Sequence, residues 1–229
     1  MRLAVVPARG GSKRIPRKNI RPFCGRPMIA WPIEAARSSG CFDRIVVSTD
    51  DEEIAAVARE CGADTPFVRP AELADDYTGT IPVLAHAIEW HRREGIDPRH
   101  VCCLYATAPF VRAEDLRSGL DLLEREGCDY VFSVTSYPFP IQRAIRLVEA
   151  GRVEMFYPEH FETRSQDLEE AYHDAGQFYW GRSEAWCTGK PIFSVDAAPL
   201  ILPRCRVQDI DTPEDWKQAE WLFHALQAT

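Results

Sequence analysis

A chain of 229 residues, 45% of them hydrophobic, is long enough to bury one sizeable core and short for two ordinary domains. Its formal net charge of −8 argues against a general nucleic-acid binder, because a phosphate backbone selects basic surfaces. The eight cysteines form no C-x-x-C pair and several lie in apolar runs, so they read as free thiols in a reducing compartment, neither a disulfide framework nor a zinc site. With no signal-type segment ahead of the first apolar run and no apolar stretch of membrane-spanning length, the expectation is a cytoplasmic protein without a membrane partner.

In chain order, predicted strands fall at Leu3–Val6, Ile45–Val47, Val101–Leu104 and Tyr130–Val134. They are continuous apolar runs rather than alternating ones, as in parallel strands covered on both faces. Between them, Ile54, Val57, Ala58 and Cys61 recur at helical spacing, as do Ile81, Leu84, Ala85 and Ile88, and then Leu116, Leu120 and Leu123. This alternation predicts an α/β fold, a three-layer α/β/α sandwich around a mostly parallel, Rossmann-like sheet with right-handed crossovers, in a single domain over 1–229. Ligands of such sheets bind beyond the carboxyl ends of the strands.

The pattern breaks between about 138 and 171, where Pro138, Pro140, Pro158 and a Glu149-Ala150-Gly151-Arg152 turn predict a short hairpin and an irregular extension. Such an insertion is either a loose surface excursion or an arm packed on a second subunit; Phe156, Tyr157 and Phe161 need cover. The sheet is predicted to resume at Phe178–Trp180, Ile192–Val195 and Arg206–Ile210. A closing helix starts with Thr212 as N-cap, Pro213 in the first position and Asp215 completing an approximate capping box, and carries Trp216, Ala219, Phe223 and Leu226 as one core stripe.

The most informative stretch is VPARGGSKRIPRKN, Val6 to Asn19, which directly follows the first strand. Gly10 and Gly11 let the backbone turn sharply and present N–H groups to a bulky anion, while Arg9, Lys13, Arg14, Arg17 and Lys18 neutralise it. No acidic residue precedes Glu34, so nothing local balances these cations, and a triphosphate is the expected guest rather than solvent alone. The overall acidity is no obstacle, because exposed charges beyond about 8 Å are largely screened. The spacing fits neither a P-loop nor a dinucleotide fingerprint.

Asp209 and Asp211 flank Ile210 near a predicted strand end, and a period of two points both carboxylates to one side. Beside a triphosphate they suit Mg²⁺, although Asp before Thr-Pro is equally ordinary helix-start chemistry. Asp50, in Ser48-Thr49-Asp50-Asp51, reads as structural, with an N-cap role open to it. His86 and His91, five apart on a helix, read as structural, and no grouping suggests a covalent nucleophile.

The Val6–Asn19 run resembles the signature loop of the CMP-sugar synthetases, cytidylyltransferases that activate nonulosonic acids, and the likeness extends over essentially the whole chain. The resemblance implies a nucleotidyltransferase fold, CTP as substrate, Mg²⁺ as cofactor and a homodimer joined through the 138–171 arm. It places Ala8, Arg9, Gly10, Gly11, Ser12, Lys13 and Asn19 on the nucleotide, with Lys18 as the catalytic cation nearest the α-phosphate. Arg69, in Arg69-Pro70-Ala71-Glu72-Leu73, matches a segment whose arginine reaches cytosine, and Thr80 matches a nucleotide-contacting hydroxyl. The family's Asp-x-Asp ahead of its last helix binds the catalytic metal, which tips Asp209 and Asp211 towards metal and makes Asp211 catalytic.

Two segments depart from the sialic acid branch and look like the pseudaminic acid branch: Tyr105-Ala106-Thr107-Ala108-Pro109-Phe110 and Asp174-Ala175-Gly176-Gln177-Phe178-Tyr179-Trp180. Tyr105, Thr107, Gln177 and Tyr179 are then the sugar-facing residues, in a pocket aromatic enough for a sugar that carries a methyl group in place of the 9-hydroxyl. Arg164 matches a basic residue donated across the dimer. Arg143 sits beside Gln142, which stands where the family has a lysine. The implied reaction joins CMP from CTP to pseudaminic acid for a bacterial surface glycan or flagellin. Alternatives are a CMP-N-acetylneuraminate or CMP-legionaminate synthetase, a non-catalytic cytidine nucleotide sensor, and a basic-loop nucleic-acid binder.

Overall fold

A six-stranded sheet forms the centre of the computed structural model, which describes residues 1–228 apart from the Ala150 side chain. β1 (Arg2–Pro7) opens the chain, followed by a two-stranded ribbon of β2 (Pro22–Phe23) and β3 (Arg26–Pro27), then α1 (Ala30–Ser39). Alternation continues through β4 (Arg44–Ser48), α2 (Glu52–Glu60), α3 (Thr80–Arg93), β5 (His100–Leu104), α4 (Ala113–Glu126) and β6 (Tyr130–Ser136). A hairpin of β7 (Ile145–Val148) and β8 (Arg152–Met155) precedes β9 (Tyr172–Arg182), α5 (Ser183–Cys187), β10 (Ala197–Ile201) and α6 (Pro213–Gln227).

The sheet order is β10-β6-β9-β5-β1-β4. β1 runs parallel to β4 and β5, and β6 parallel to β10, whereas β9 is antiparallel to both of its neighbours, β5 and β6. Parallel neighbours need a crossover, usually a helix. The segment between β6 and β9 supplies only the hairpin arm, and β9 accordingly returns antiparallel. The α/β architecture and mostly parallel sheet match the expectation.

Leu3 to Val6 of β1 and Val101 to Leu104 of β5 are fully buried, because helices cover both sides of the sheet. One core layer packs α1, α2 and α4 against the sheet; the other packs α3 and α5. Close approach requires small residues at two places. A Cβ on Gly119 of α4 would lie 2.8 Å from the Trp180 ring, and one on Gly181 would lie 2.5 Å from Trp186 Nε1. The Trp180 and Trp186 indoles in turn donate to the Leu116 and Val101 carbonyls. α3 buries Val83, Leu84, Ala87, Ile88 and His91, so its core stripe is displaced from the spacing that begins at Ile81.

α6 begins as expected: Thr212 Oγ1 accepts from Asp215 N at 3.2 Å, and Thr212 N donates back to Asp215 Oδ2 at 2.8 Å. Trp216, Ala219 and Phe223 are buried against Ile15, Phe23 and Ile210, which seats the last helix on the signature loop.

Two predicted strands are absent. Ile192–Val195 is a series of bends with Phe193 and Val195 exposed, and pairing starts only at Ala197. An apolar run can lie on the surface, and hydropathy alone does not reveal it. Arg206–Ile210 is a 3-10 turn followed by irregular chain, its carbonyls taken by side chains instead of a ladder: Gln177 Nε2 donates to Arg206 O and Lys18 Nζ to Ile210 O. α1 was not anticipated; it has no side-chain N-cap and no acidic residue in its first turn. The arm does contain a hairpin, turning at Glu149–Gly151, with Leu147, Val153 and Phe161 all at least 60% exposed.

Candidate active site

Ala8 N extends the β1 register by donating to Ser48 O, and the chain then turns at the glycines. Gly10 N donates to Asp50 Oδ1 at 3.0 Å, and a Cβ on Gly10 would come within 2.8 Å of Asp51 Oδ2, so only glycine fits. Asp51, rather than Asp50, caps α2, accepting from Ile54 N at 3.0 Å. Arg17 grips the same carboxylate at 2.5 and 2.9 Å and also bonds Glu53. This hydrogen-bonded pairing holds the Asp51 carboxyl at about 2, against an ordinary 3.8. Arg17 itself sits at φ 56°, a left-handed conformation that the grip pays for. Asn19 closes the loop by donating to Arg9 O at 3.0 Å.

The loop's cations therefore find their counter-charges through tertiary contacts. Arg9 and Lys13 pair with Asp76, Arg14 and Lys18 with Asp211, and Arg17 with Asp51 and Glu53. Absence of a local acid did not mean absence of an acid. Lys18 Nζ reaches the Ile210 carbonyl at 2.7 Å and Asp211 Oδ1 at 3.3 Å, and Arg14 reaches Asp211 Oδ2 at 2.9 Å. The glycine-rich loop and the segment ahead of α6 thus meet in one place.

That place is a cleft of about 540 Å³ at the carboxyl ends of β1 and β5. Arg9, Ser12, Lys13, Lys18 and Asn19 line it from the loop, facing Arg69, Thr80, Tyr105, Thr107 and Asp211. Arg69 is 4% exposed, its Nε donating to Ser48 Oγ at 3.1 Å and Nη2 to Ser48 O. Burial pulls its guanidinium down to about 10, still a cation at neutral pH, helped by the charge of Asp50. Thr80, the first residue of α3, shares a 3.3 Å hydrogen bond with the Tyr105 hydroxyl, and burial keeps that phenol neutral by raising it.

Other predicted site residues lie elsewhere. Ala8, Gly10 and Gly11 shape the loop without lining the cleft. Gln177 is 3% exposed, within a bulge where β6 and β9 change register, and its Nε2 donates to Arg206 O at 2.6 Å. The Ser133 hydroxyl takes up the ladder donors freed there, at Gln177 N and Phe178 N. Tyr179 is buried with its hydroxyl on Asp174 and its ring 5.2 Å from Tyr105, so it backs the cleft wall. Arg143, donating to Thr163 O, and Arg164 belong to the arm, outside this chain's own cleft. His91 is buried on the Ala87 carbonyl, as a structural histidine is.

Asp211 lines the cleft, whereas Asp209 stands beside it, its carboxyl raised by desolvation and then by the negative charge of Asp211. Among the described residues no cluster of three or more His, Cys, Asp or Glu side chains could hold a metal alone. Two carboxylates that repel each other beside a cleft lined by cations suit Mg²⁺, which keeps waters and substrate phosphates as its remaining ligands. The donor set fits that ion and would suit zinc poorly. Asp76, Thr78 and Gly79 also line the cleft. Only the short distance from Asp76 to α3 hinted at this in the sequence.

A family model described as cytidylyltransferase matches residues 3–187. A pseudaminic acid cytidylyltransferase of Campylobacter jejuni is 47% identical over 221 residues, covering 96% of this chain and 95% of the relative. A CMP-N,N'-diacetyllegionaminic acid synthase of Legionella pneumophila is 34% identical over 232 residues, covering 98% and 97%. The solved structure of a CMP:2-keto-3-deoxy-manno-octonic acid synthetase complexed with CTP superposes with a TM-score of 0.72 at 15% identity, covering 98% of each chain, and so shares the fold. No helix among the described residues is long and apolar enough to cross a membrane. With the family match spanning most of the chain and the similarity to its relatives running nearly end to end, this chain belongs to the cytidylyltransferase family.

Proposed function

We propose that this enzyme transfers CMP from CTP to the anomeric hydroxyl of pseudaminic acid, giving CMP-pseudaminic acid and pyrophosphate. The observation that carries the reading is the meeting of Lys18 and Asp211 at 3.3 Å in a cleft lined by the loop cations. Identity of 47% to pseudaminic acid cytidylyltransferase, against 34% to the legionaminic acid synthase, selects the sugar.

In this reading the sugar hydroxyl oxygen forms a bond to the α-phosphorus, the bond from that phosphorus to the β-phosphate oxygen breaks, and the hydroxyl proton leaves to solvent. Positioning and charge neutralisation do most of the work in such transfers. Arg9 and Lys13 hold the outer phosphates, Lys18 neutralises charge developing on the α-phosphate, and Ser12 and Asn19 shape the loop around them. Arg69, anchored on Ser48, recognises the cytosine edge, and Thr80, hydrogen-bonded to the Tyr105 hydroxyl, contacts the nucleotide. Asp209 and Asp211 would hold Mg²⁺, which when bound withdraws charge from the α-phosphate. Tyr105 and Thr107 face the sugar, with Tyr179 and Gln177 supporting that wall.

The exposed apolar side chains of the arm support a homodimer in which Arg143 and Arg164 reach the sugar carboxylate of the other subunit. The cytoplasm, where CTP is made, is the compartment of this reading. The test is pyrophosphate release from CTP with purified pseudaminic, N-acetylneuraminic and legionaminic acids. The reading requires preference for pseudaminic acid; equal or faster turnover of another acid overturns the sugar assignment, and CTP binding without pyrophosphate release overturns the reaction.

A further inference from the structure

Asp76 has no role in the assignments above, yet it occupies the loop's outer cations. Its Oδ1 accepts from Arg9 Nη1 at 2.6 Å and its Oδ2 accepts from Lys13 Nζ, so both carboxylate oxygens are engaged by residues that the reading above gives to the outer phosphates. Arg9 Nη1 also donates to the Asp75 carbonyl at 2.7 Å. The carboxyl is held below its ordinary range, first by Lys13 and then by Arg9, so it is an anion at neutral pH.

The way this segment is built makes the contact easy to exchange. The turn is braced internally: Asp75 Oδ1 accepts from Tyr77 N at 3.0 Å and Thr78 N at 2.6 Å, and Thr78 Oγ1 donates to Glu72 O at 3.1 Å. Tyr77, next along, is 94% exposed and anchors nothing in the core. The turn can therefore keep its shape while Asp76 lets go. The Lys13 side chain remains 78% exposed while paired, open to an incoming anion from solvent. A solvent-exposed ion pair is weak enough for a polyphosphate to replace.

We propose that Asp76 is an internal competitor for the polyphosphate: its carboxylate holds Arg9 and Lys13 in place, yields to the outer phosphates of CTP, and returns as pyrophosphate departs. The proposal rests on the cleft being the CTP site. Competition for a shared pair of cations weakens every ligand that needs them by the same factor and leaves others alone.

The experiment is calorimetric titration of wild type, Asp76→Asn and Asp76→Glu with CTP, inorganic pyrophosphate and CMP. Removing the charge should tighten CTP and pyrophosphate roughly threefold to tenfold, from two exposed ion pairs, and leave CMP unchanged. Asp76→Glu, which keeps a carboxylate on a longer stem, should return towards wild-type values. Pyrophosphate affinity that is unchanged or weaker in Asp76→Asn overturns the competition while leaving the CTP site intact. Wild type that binds neither CTP nor pyrophosphate overturns the site assignment and the proposal together.

Discussion

Substitution of Asp51 by alanine probes the scaffold on which the basic glycine loop depends. The side chain does three things at once: it caps α2 at Ile54 N, chelates Arg17 at 2.5 and 2.9 Å, and fills the space beside Gly10. Loss of an N-cap costs about 1 kcal/mol. The pairing has a second gauge, since a carboxyl moved from 3.8 to about 2 corresponds to roughly 2 kcal/mol before screening. Arg17 is 36% exposed, which reduces the usable part to about 1 kcal/mol. The depressed carboxyl already reflects the cap bond from Ile54 N, so the two overlap, and a total of about 1–2 kcal/mol should lower the melting temperature by roughly 2–8 °C in a domain of this size. The sign with pH follows from a depressed carboxyl: its contribution is complete above the unfolded value near 3.8 and is lost as pH falls through about 2. Melting curves of wild type and Asp51→Ala should therefore differ fully at neutral pH and converge as pH drops below about 4. Held then by Glu53 alone, Arg17 can also leave its left-handed conformation, so pyrophosphate release should fall as the Lys18 position loosens. Melting temperatures within about one degree at neutral pH, or a gap that widens on acidification, would refute the reasoning.

Two further outcomes follow from the same geometry. Lys18→Ala should lower kcat/KM for CTP by about 10²–10³ with only a small change in melting temperature, because among the described residues the hydrogen-bond partners of the ammonium are Asp211 and the Ile210 carbonyl; kinetics of purified protein at saturating sugar measure this, and a loss under tenfold speaks against the role. Gly181→Ala forces a methyl to 2.5 Å from Trp186 Nε1 and should cost about 1–3 kcal/mol by overpacking, visible in denaturant unfolding, with kcat/KM of the folded enzyme unchanged.

Much of this was legible in the residues. β1, β4, β5 and β6 each carry a short, mostly buried apolar run that stands out despite polar residues at their ends and at Ser133 and Thr135, and α2, α3 and α4 carry helical spacing. Thr212, Pro213 and Asp215 mark α6 because capping is local chemistry. The glycine pair with its cations stands out for the same reason, and the structure sets those cations along one cleft. What stayed hidden depends on distant partners. The direction of β9 follows from an arm that lacks a crossover helix, and its bulge is satisfied by Ser133 on another strand. Arg206–Ile210 reads as a strand by composition, yet Gln177 and Lys18 supply its hydrogen bonds. Asp51 and Asp50 are adjacent, and only the folded turn shows which one caps α2 and which one holds Gly10. Asp76 is marked in the sequence only by its place just ahead of α3; its pairing with Arg9 and Lys13 exists only in three dimensions.

The claim on which the rest stands is that the basic glycine loop and the acid ahead of α6 act on a single polyphosphate. A crystal structure of the protein grown with CTP and magnesium addresses it without intermediaries. The account predicts the triphosphate against Arg9, Lys13 and Lys18, with a magnesium ion about 2.1 Å from an Asp211 oxygen and sharing a phosphate oxygen. A nucleotide seated away from this cleft, or a metal remote from Asp211, would contradict it.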